Sequence, residues 1–170
     1  MHTAFLLKIH PFLQVFYLFF GKLQAMLNIE NLTDFVPNIK MLESIGNSVT
    51  SREIDLTLCY NDTIQQYNKE YRQQNKATDV LSFPIINDII TDNNFIPLGS
   101  IVISIDFVFN KAQEYKHSTE SEMALLFIHG LLHLLGYDHE SDNGEMREKE
   151  ALIIQNFNLP SSLIVRTEEN

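Results

Sequence analysis

His129-Gly-Leu-Leu-His133-Leu-Leu-Gly136-Tyr-Asp-His139 puts three of the chain's six histidines within 11 residues. Thr119 and Glu122 make a capping box for a helix that continues to Leu135, and His129 and His133 stand at i and i+4 on it. That spacing stacks two imidazoles on one helix face about 6 Å apart, a separation one tetrahedral metal ion bridges. Gly136 can take the left-handed conformation that ends a helix and turns the chain back. His139 then lands beside the other two.

Three neutral imidazoles leave a fourth position for water, the arrangement of a catalytic rather than a structural zinc site. One Zn2+ per chain is expected, because imidazole ligands suit that ion. Water on such an ion ionises near neutral pH and becomes a nucleophile, so the motif predicts a hydrolase. The same spacing occurs in metzincin proteases, where the residue after the first histidine is the glutamate that acts as general base. Here that residue is Gly130, which accepts no proton, and a metallopeptidase is disfavoured on that ground.

Outward from the motif, the pattern is that of an α+β domain. Leu27 to Asn31 alternates like a short strand, and Ile54, Leu56, Leu58 and Tyr60 alternate with Asp55, Thr57 and Cys59 as a second. Val80 to Phe83, closed by Pro84, and Gly99 to Ser104 supply two more. Between them, Ile39, Leu42, Ile45 and Val49 recur at helical spacing after Pro37. Ile64, Tyr67, Asn68 and Tyr71 do so after Asn61 or Asp62, either of which suits a cap. Ser104 can cap a helix through Tyr115. Pro84 to Pro97 reads as a loop or loose hairpin, and a last helix from about Asn143 to Phe157 turns Met146, Ala151, Ile154 and Phe157 inward.

A length of 170 residues suits one domain, and a hydrophobic fraction of 45% with 20% charged residues excludes disordered and fibrous classes. A net charge of -10 repels phosphate backbones at long range, so any nucleic-acid contact has to rest on a local basic patch. Lone Cys59 fits a reducing cytosol and reads as a small buried hydrophobe. Residues 1–25 differ from the rest: Phe5, Phe12, Phe16, Phe19 and Phe20 accompany Lys8 and Lys22 with no acidic residue. Their apolar run is too short to cross a bilayer, and Leu23-Gln24-Ala25 is a poor signal-cleavage site. These residues are read as an N-terminal extension or misassigned start, with a single domain over 26–170.

The motif at 129–139 resembles the signature of the YbeY family of bacterial rRNA maturation endoribonucleases. Asn68-Lys-Glu-Tyr-Arg72, Thr78-Asp-Val-Leu-Ser-Phe-Pro84 and Leu98-Gly-Ser-Ile-Val-Ile-Ser104 are similar to its other hallmarks, in order and over nearly the whole domain. The family commonly has an acidic residue where Ser100 stands. The resemblance implies a zincin-like fold, a four-stranded sheet packed with helices around a central helix that carries the histidines. It also implies a zinc-dependent, single-strand-specific endoribonuclease acting in 16S rRNA 3′ end maturation and ribosome quality control, in the cytoplasm. The small ribosomal subunit, ribosomal proteins and assembly GTPases are its expected partners, with no membrane. Zinc-bound water or the RNA 2′-hydroxyl is the nucleophile. A non-catalytic assembly factor with a structural metal is the remaining alternative.

His129, His133 and His139 are then the metal ligands and, with Arg72, the catalytic set. Arg72 matches the family's important arginine, and a guanidinium holds a phosphate with two parallel hydrogen bonds. Lys69 and Lys76 beside it are either RNA contacts or a solvated face. Thr78, Asp79 and Ser82 are expected to line the groove, with Asp79 either a strand-start cap or a partner of Arg72. Asp138 either orients a ligand or belongs to the turn, and His117 reads as an exposed helix end. A chain beginning at Met26 is expected to be soluble, to melt cooperatively and to bind metal; aggregation of that chain beside a well-behaved full-length protein would overturn the boundary.

Overall fold

The computed structural model describes residues 27–85 and 96–160. Residues 1–25 and most of the segment read as a loop between Pro84 and Pro97 lie outside the described residues. Four strands, β1 (Leu27–Asn31), β2 (Ile54–Cys59), β3 (Val80–Pro84) and β4 (Gly99–Ser104), form one sheet in the order β1-β2-β4-β3. The first three in that order run parallel, and β3 pairs antiparallel with β4 at the edge. Parallel neighbours need crossovers, and helices α1 (Ile39–Val49) and α2 (Asn61–Arg72) lie on them. Three more helices follow, α3 (Ile105–Tyr115), α4 (Thr119–Leu134) and α5 (Glu145–Asn156), so the expected α+β fold with a four-stranded sheet is the observed one.

Alternation along the strands divides the apolar residues between two cores. Ile54, Leu56, Leu58, Ile101 and Ile103 face α1, α3, α4 and α5 in the larger one. Cys59, Leu81 and Val102 face Ile64 and Tyr67 of α2 in the smaller one. Burial pushes the Cys59 thiol up to about 11, which keeps it protonated and inert, as a buried hydrophobe should be. Helix α4 is central: 12 of its 16 residues are buried, including the unbroken run from Glu122 to Leu132.

Helix α4 can lie this close to the sheet because Gly130 has no side chain. A Cβ there would stand 2.9 Å from Ile101 Cγ2 and 3.2 Å from both Val80 Cγ2 and Ser82 Oγ. The Ser82 hydroxyl donates to the Gly130 carbonyl at 3.0 Å, tying β3 to the helix.

Local reading of the helix starts needs three corrections. Neither Asn61 nor Asp62 caps α2; the cap position is Tyr60, and the Asn61 N–H donates instead to Asp106 Oδ2 at 2.8 Å. Ser104 does precede α3, but its hydroxyl donates to Asn61 Oδ1 rather than capping. Ser118, not Thr119, caps α4, accepting from the Ser121 N–H, and Glu122 turns inward to His117. On α5 the inner face holds Met146, Glu150, Ile153 and Ile154, while Ala151 is exposed. Ala151 gives way because the helix rotates to bury the Glu150 carboxylate against α4.

Gly130→Ala tests the helix–sheet contact. Helix propensity favours the alanine by about 1 kcal/mol, yet overpacking costs about 1–3 kcal/mol. The expected result is a net loss of stability in urea unfolding with weakened metal binding; a variant more stable than the parent would mean the contact is loose.

Candidate functional site

His129 and His133 leave α4 at its C-terminal end, and the chain turns at Gly136, whose φ is +91°. The Gly136 N–H donates to the His133 carbonyl, and the Tyr137 N–H to that of Leu132, so the turn is closed by hydrogen bonds at 3.0 and 3.1 Å. This brings His139 back onto the helix end. One nitrogen from each of the three imidazoles lies within 4.8 Å of the others, and His129 is 7% exposed. All three predicted ligands therefore meet.

The hydrogen bonds behind the rings fix which nitrogen faces the centre. His129 Nδ1 lies 3.3 Å from the Glu150 carboxylate, and His133 Nδ1 lies 3.0 Å from the Tyr137 carbonyl. Both partners are acceptors, so each Nδ1 carries the proton and each Nε2 presents a lone pair. Those two Nε2 atoms stand 3.1 Å apart. Two lone pairs at that distance repel unless a cation lies between them. Ligand nitrogens on a tetrahedral zinc, with bonds of about 2.0–2.1 Å, are separated by about 3.3 Å, so the pair is spaced for one ion. His139 Nδ1 is buried without a hydrogen-bond partner among the described residues, as a metal ligand's nitrogen can be. Burial, with His129 alongside, lowers the His133 pKa and keeps it in the neutral form that a ligand needs. The donor set fits one divalent metal ion.

Glu150 is the residue at the candidate site that the sequence reading missed. It is 1% exposed and comes from α5, 21 residues beyond the imidazole it contacts. A glutamate at an inward phase of an amphipathic helix was the available signal. Asp138 lines the cleft with the imidazoles, and its carboxylate accepts from Ser141 Oγ and the Glu140 N–H, which hold its pKa down and give it the turn role. Asp79 caps β3, accepting from the Val80 N–H and Thr78 Oγ1. His117 is not a fourth ligand and is not free; its Nε2 lies 2.6 Å from buried Glu122.

The imidazoles open into a cleft of about 690 Å³ walled by Thr78 and Ser82 on one side and by Arg72 and Gln74 at its rim. Arg72 is the last residue of α2, where Gln73 adopts a left-handed conformation with its N–H on the Asn68 carbonyl. The buried Asn68 side chain donates to the Lys76 carbonyl at 2.8 Å and so folds the following loop back toward β3. Among the described residues Arg72 is exposed and makes no ion pair. Gly130 faces the sheet, so a protease's general base at that position has nowhere to stand.

The family model for endoribonuclease YbeY matches residues 23–158. This chain belongs to the YbeY family. An endoribonuclease YbeY from Sulfurovum sp. (strain NBC37-1) is 51% identical over 147 residues, covering 86% of this chain and 100% of its own. One from Aliarcobacter butzleri (strain RM4018) is 56% identical over 141 residues, covering 83% and 99%. The solution structure of TM1509 from Thermotoga maritima matches with a TM-score of 0.53 and 28% identity, over 78% of this chain and 89% of that one.

The pairing of Glu150 with His129 yields a prediction about metal affinity alone. Glu150→Gln keeps the shape and removes the charge behind the imidazole, and is expected to weaken divalent metal binding about 10- to 100-fold while the melt stays cooperative. His129→Ala, His133→Ala and His139→Ala should each lose nearly all of it. Cobalt titration followed by visible absorbance reads both; unchanged affinity in Glu150→Gln would reduce that carboxylate to a packing element.

Proposed function

We propose that this chain is a zinc-dependent endoribonuclease that cleaves single-stranded segments of small-subunit rRNA, with residues 26–170 as the working unit. The observation that carries the reading is a guanidinium, Arg72, that makes no ion pair among the described residues and lies on the same cleft as three convergent imidazoles. Family membership and the shared name of the relatives support RNA as the substrate. The full-length coverage of the Sulfurovum protein by 147 residues supports the proposed unit. No described helix is long and apolar enough to cross a membrane, and a ribosomal RNA substrate points to the cytoplasm.

His129, His133 and His139 would hold the metal. When bound, it supplies a Lewis acid that makes hydrolytic chemistry accessible near neutral pH. The chain's own residues do the rest. Glu150 and the Tyr137 carbonyl keep two imidazoles in the tautomer that offers Nε2. Arg72, at the rim, holds a phosphate by two parallel N–H···O bonds and offsets the charge that grows on it in the transition state.

This separates cleavage from metal binding. Arg72→Ala is expected to keep fold and metal content while single-turnover cleavage of an rRNA fragment falls about 30- to 1000-fold, equivalent to about 2–4 kcal/mol. Arg72→Lys should recover only part, because an ammonium cannot reproduce the two-pronged geometry. Cleavage by Arg72→Ala within about threefold of the parent at equal metal content would show the arginine to be a bystander.

A further inference from the structure

Beside Arg72 stands an aromatic cluster that metal binding and phosphate contact leave unused. Tyr71 is 59% exposed, an unusual position for a large ring in the last turn of a helix. It is held in place all the same. Its ring lies nearly parallel to that of Tyr67 with centroids 6.2 Å apart, and meets Phe83 of β3 at 64° and 5.1 Å. Two neighbours thus order Tyr71 in advance, so a ligand stacking on it would lose little side-chain entropy.

The location is as informative as the order. Side chains alternate along β3, so Val80 and Ser82 border the metal cleft while Leu81 and Phe83 face α2. Strand β3 is the edge of the sheet. A polymer crossing that edge therefore meets the cleft on one side and the aromatic ring on the other, with Arg72 between them in sequence and at the rim. Lys69 and Lys76 are exposed on the same stretch, giving three cations in eight positions of a chain whose net charge is -10. A guanidinium at the cleft beside an ordered, exposed ring, with two lysines on the same stretch of chain, is the chemistry of a single-strand nucleic-acid groove, where bases stack on aromatic faces while cations follow the phosphates.

We infer that Tyr71, braced by Tyr67 and Phe83, is a stacking platform for an unpaired base flanking the phosphate that Arg72 holds. This rests on the RNA reading above and adds to it a base subsite and a reason for preferring single strands, since a base within a duplex has no free face to offer. Tyr71 acts in binding, not in bond cleavage.

The test uses the full-length, metal-loaded protein and a single-stranded rRNA fragment that it cleaves. Binding and single-turnover cleavage are compared for the parent, Tyr71→Phe, Tyr71→Leu and Tyr71→Ala, with abasic nucleotides walked across the positions flanking the cleavage point. Tyr71→Phe is expected to bind within about twofold of the parent. Loss of the π face in Tyr71→Ala should weaken binding about 5- to 100-fold, and Tyr71→Leu, which keeps the apolar contact with Phe83, should behave like alanine. One abasic position should weaken the parent by a similar factor and add nothing to the alanine variant. Tyr71→Ala and Tyr71→Leu binding within twofold of the parent, or abasic effects equal in parent and variants at every position, would overturn the subsite while leaving the nuclease reading intact. A parent that neither binds nor cleaves the RNA overturns both.

Discussion

The distance between α4 and the sheet at Gly130 governs what lies on either side of it. The Ile101 and Val80 methyl groups occupy the space a side chain would take, and the Ser82 hydroxyl anchors the Gly130 carbonyl. His129 precedes that contact by one residue and His133 follows it by three, so both rings inherit their height above β3 from the helix–sheet spacing. A shift of even 1 Å in such a framework is enough to spoil alignment between a metal and the phosphate it must serve. The residue that in a metzincin would be a general base is here a packing device. The same glycine thereby excludes one chemistry and positions another.

An apolar helix with polar chemistry at its end has to settle the cost of burying it. Glu150 is almost wholly buried, and a carboxylate taken out of water without partners costs several kcal/mol. Its contact with His129 offsets part of that cost, and a cation among the imidazoles offsets more, so carboxylate, imidazoles and metal stabilise one another. A related pair sits at the opposite end of α4, where His117 meets buried Glu122 at 2.6 Å. There, among the described residues, no third metal-ligating side chain joins them, and the pair latches the loop before α4 to the helix. Two His–carboxylate contacts on one helix thus serve different ends, and the difference lies in what converges on the second ring nitrogen.

Features carried by local pattern were legible in the sequence. The alternation of Ile54, Leu56 and Leu58, the 3.6-residue period of α1 and the glycine stop at Gly136 all report forces that act between near neighbours. The convergence of His139 on the helix end follows from that stop. What stayed hidden depends on partners distant in sequence. Asn61 looks like a cap, but its N–H is satisfied by Asp106, 45 residues away, and its side chain receives Ser104. Glu150 escaped notice because periodicity assigns inner faces by hydrophobicity, and a carboxylate buried to orient a ligand violates that rule. The capping box at Thr119 was misassigned by one residue for a related reason: Glu122 satisfies the pattern but is recruited by His117.

Electrostatics constrain how a chain of net charge -10 can hold RNA at all. Each phosphate neutralised on a single strand contributes to affinity through released counterions, with a salt slope of about -0.7 per contact. Among the described residues that line the cleft Arg72 is the one lysine or arginine, with Lys69 and Lys76 near it in sequence, which limits that term to about three contacts, while the acidic remainder of the surface repels the strand at long range. Ionic attraction of that size cannot by itself hold a polyanion firmly at physiological salt. Affinity then has to draw on terms that salt screens less: coordination at a metal held by the imidazoles and, on the proposed reading, stacking on the Tyr71 ring. On that reading both demand a strand that can bend over the β3 edge and expose both its phosphates and its base faces. A duplex offers only the first of these, so on the proposed reading a surface too acidic to hold RNA by charge alone favours unpaired RNA over paired.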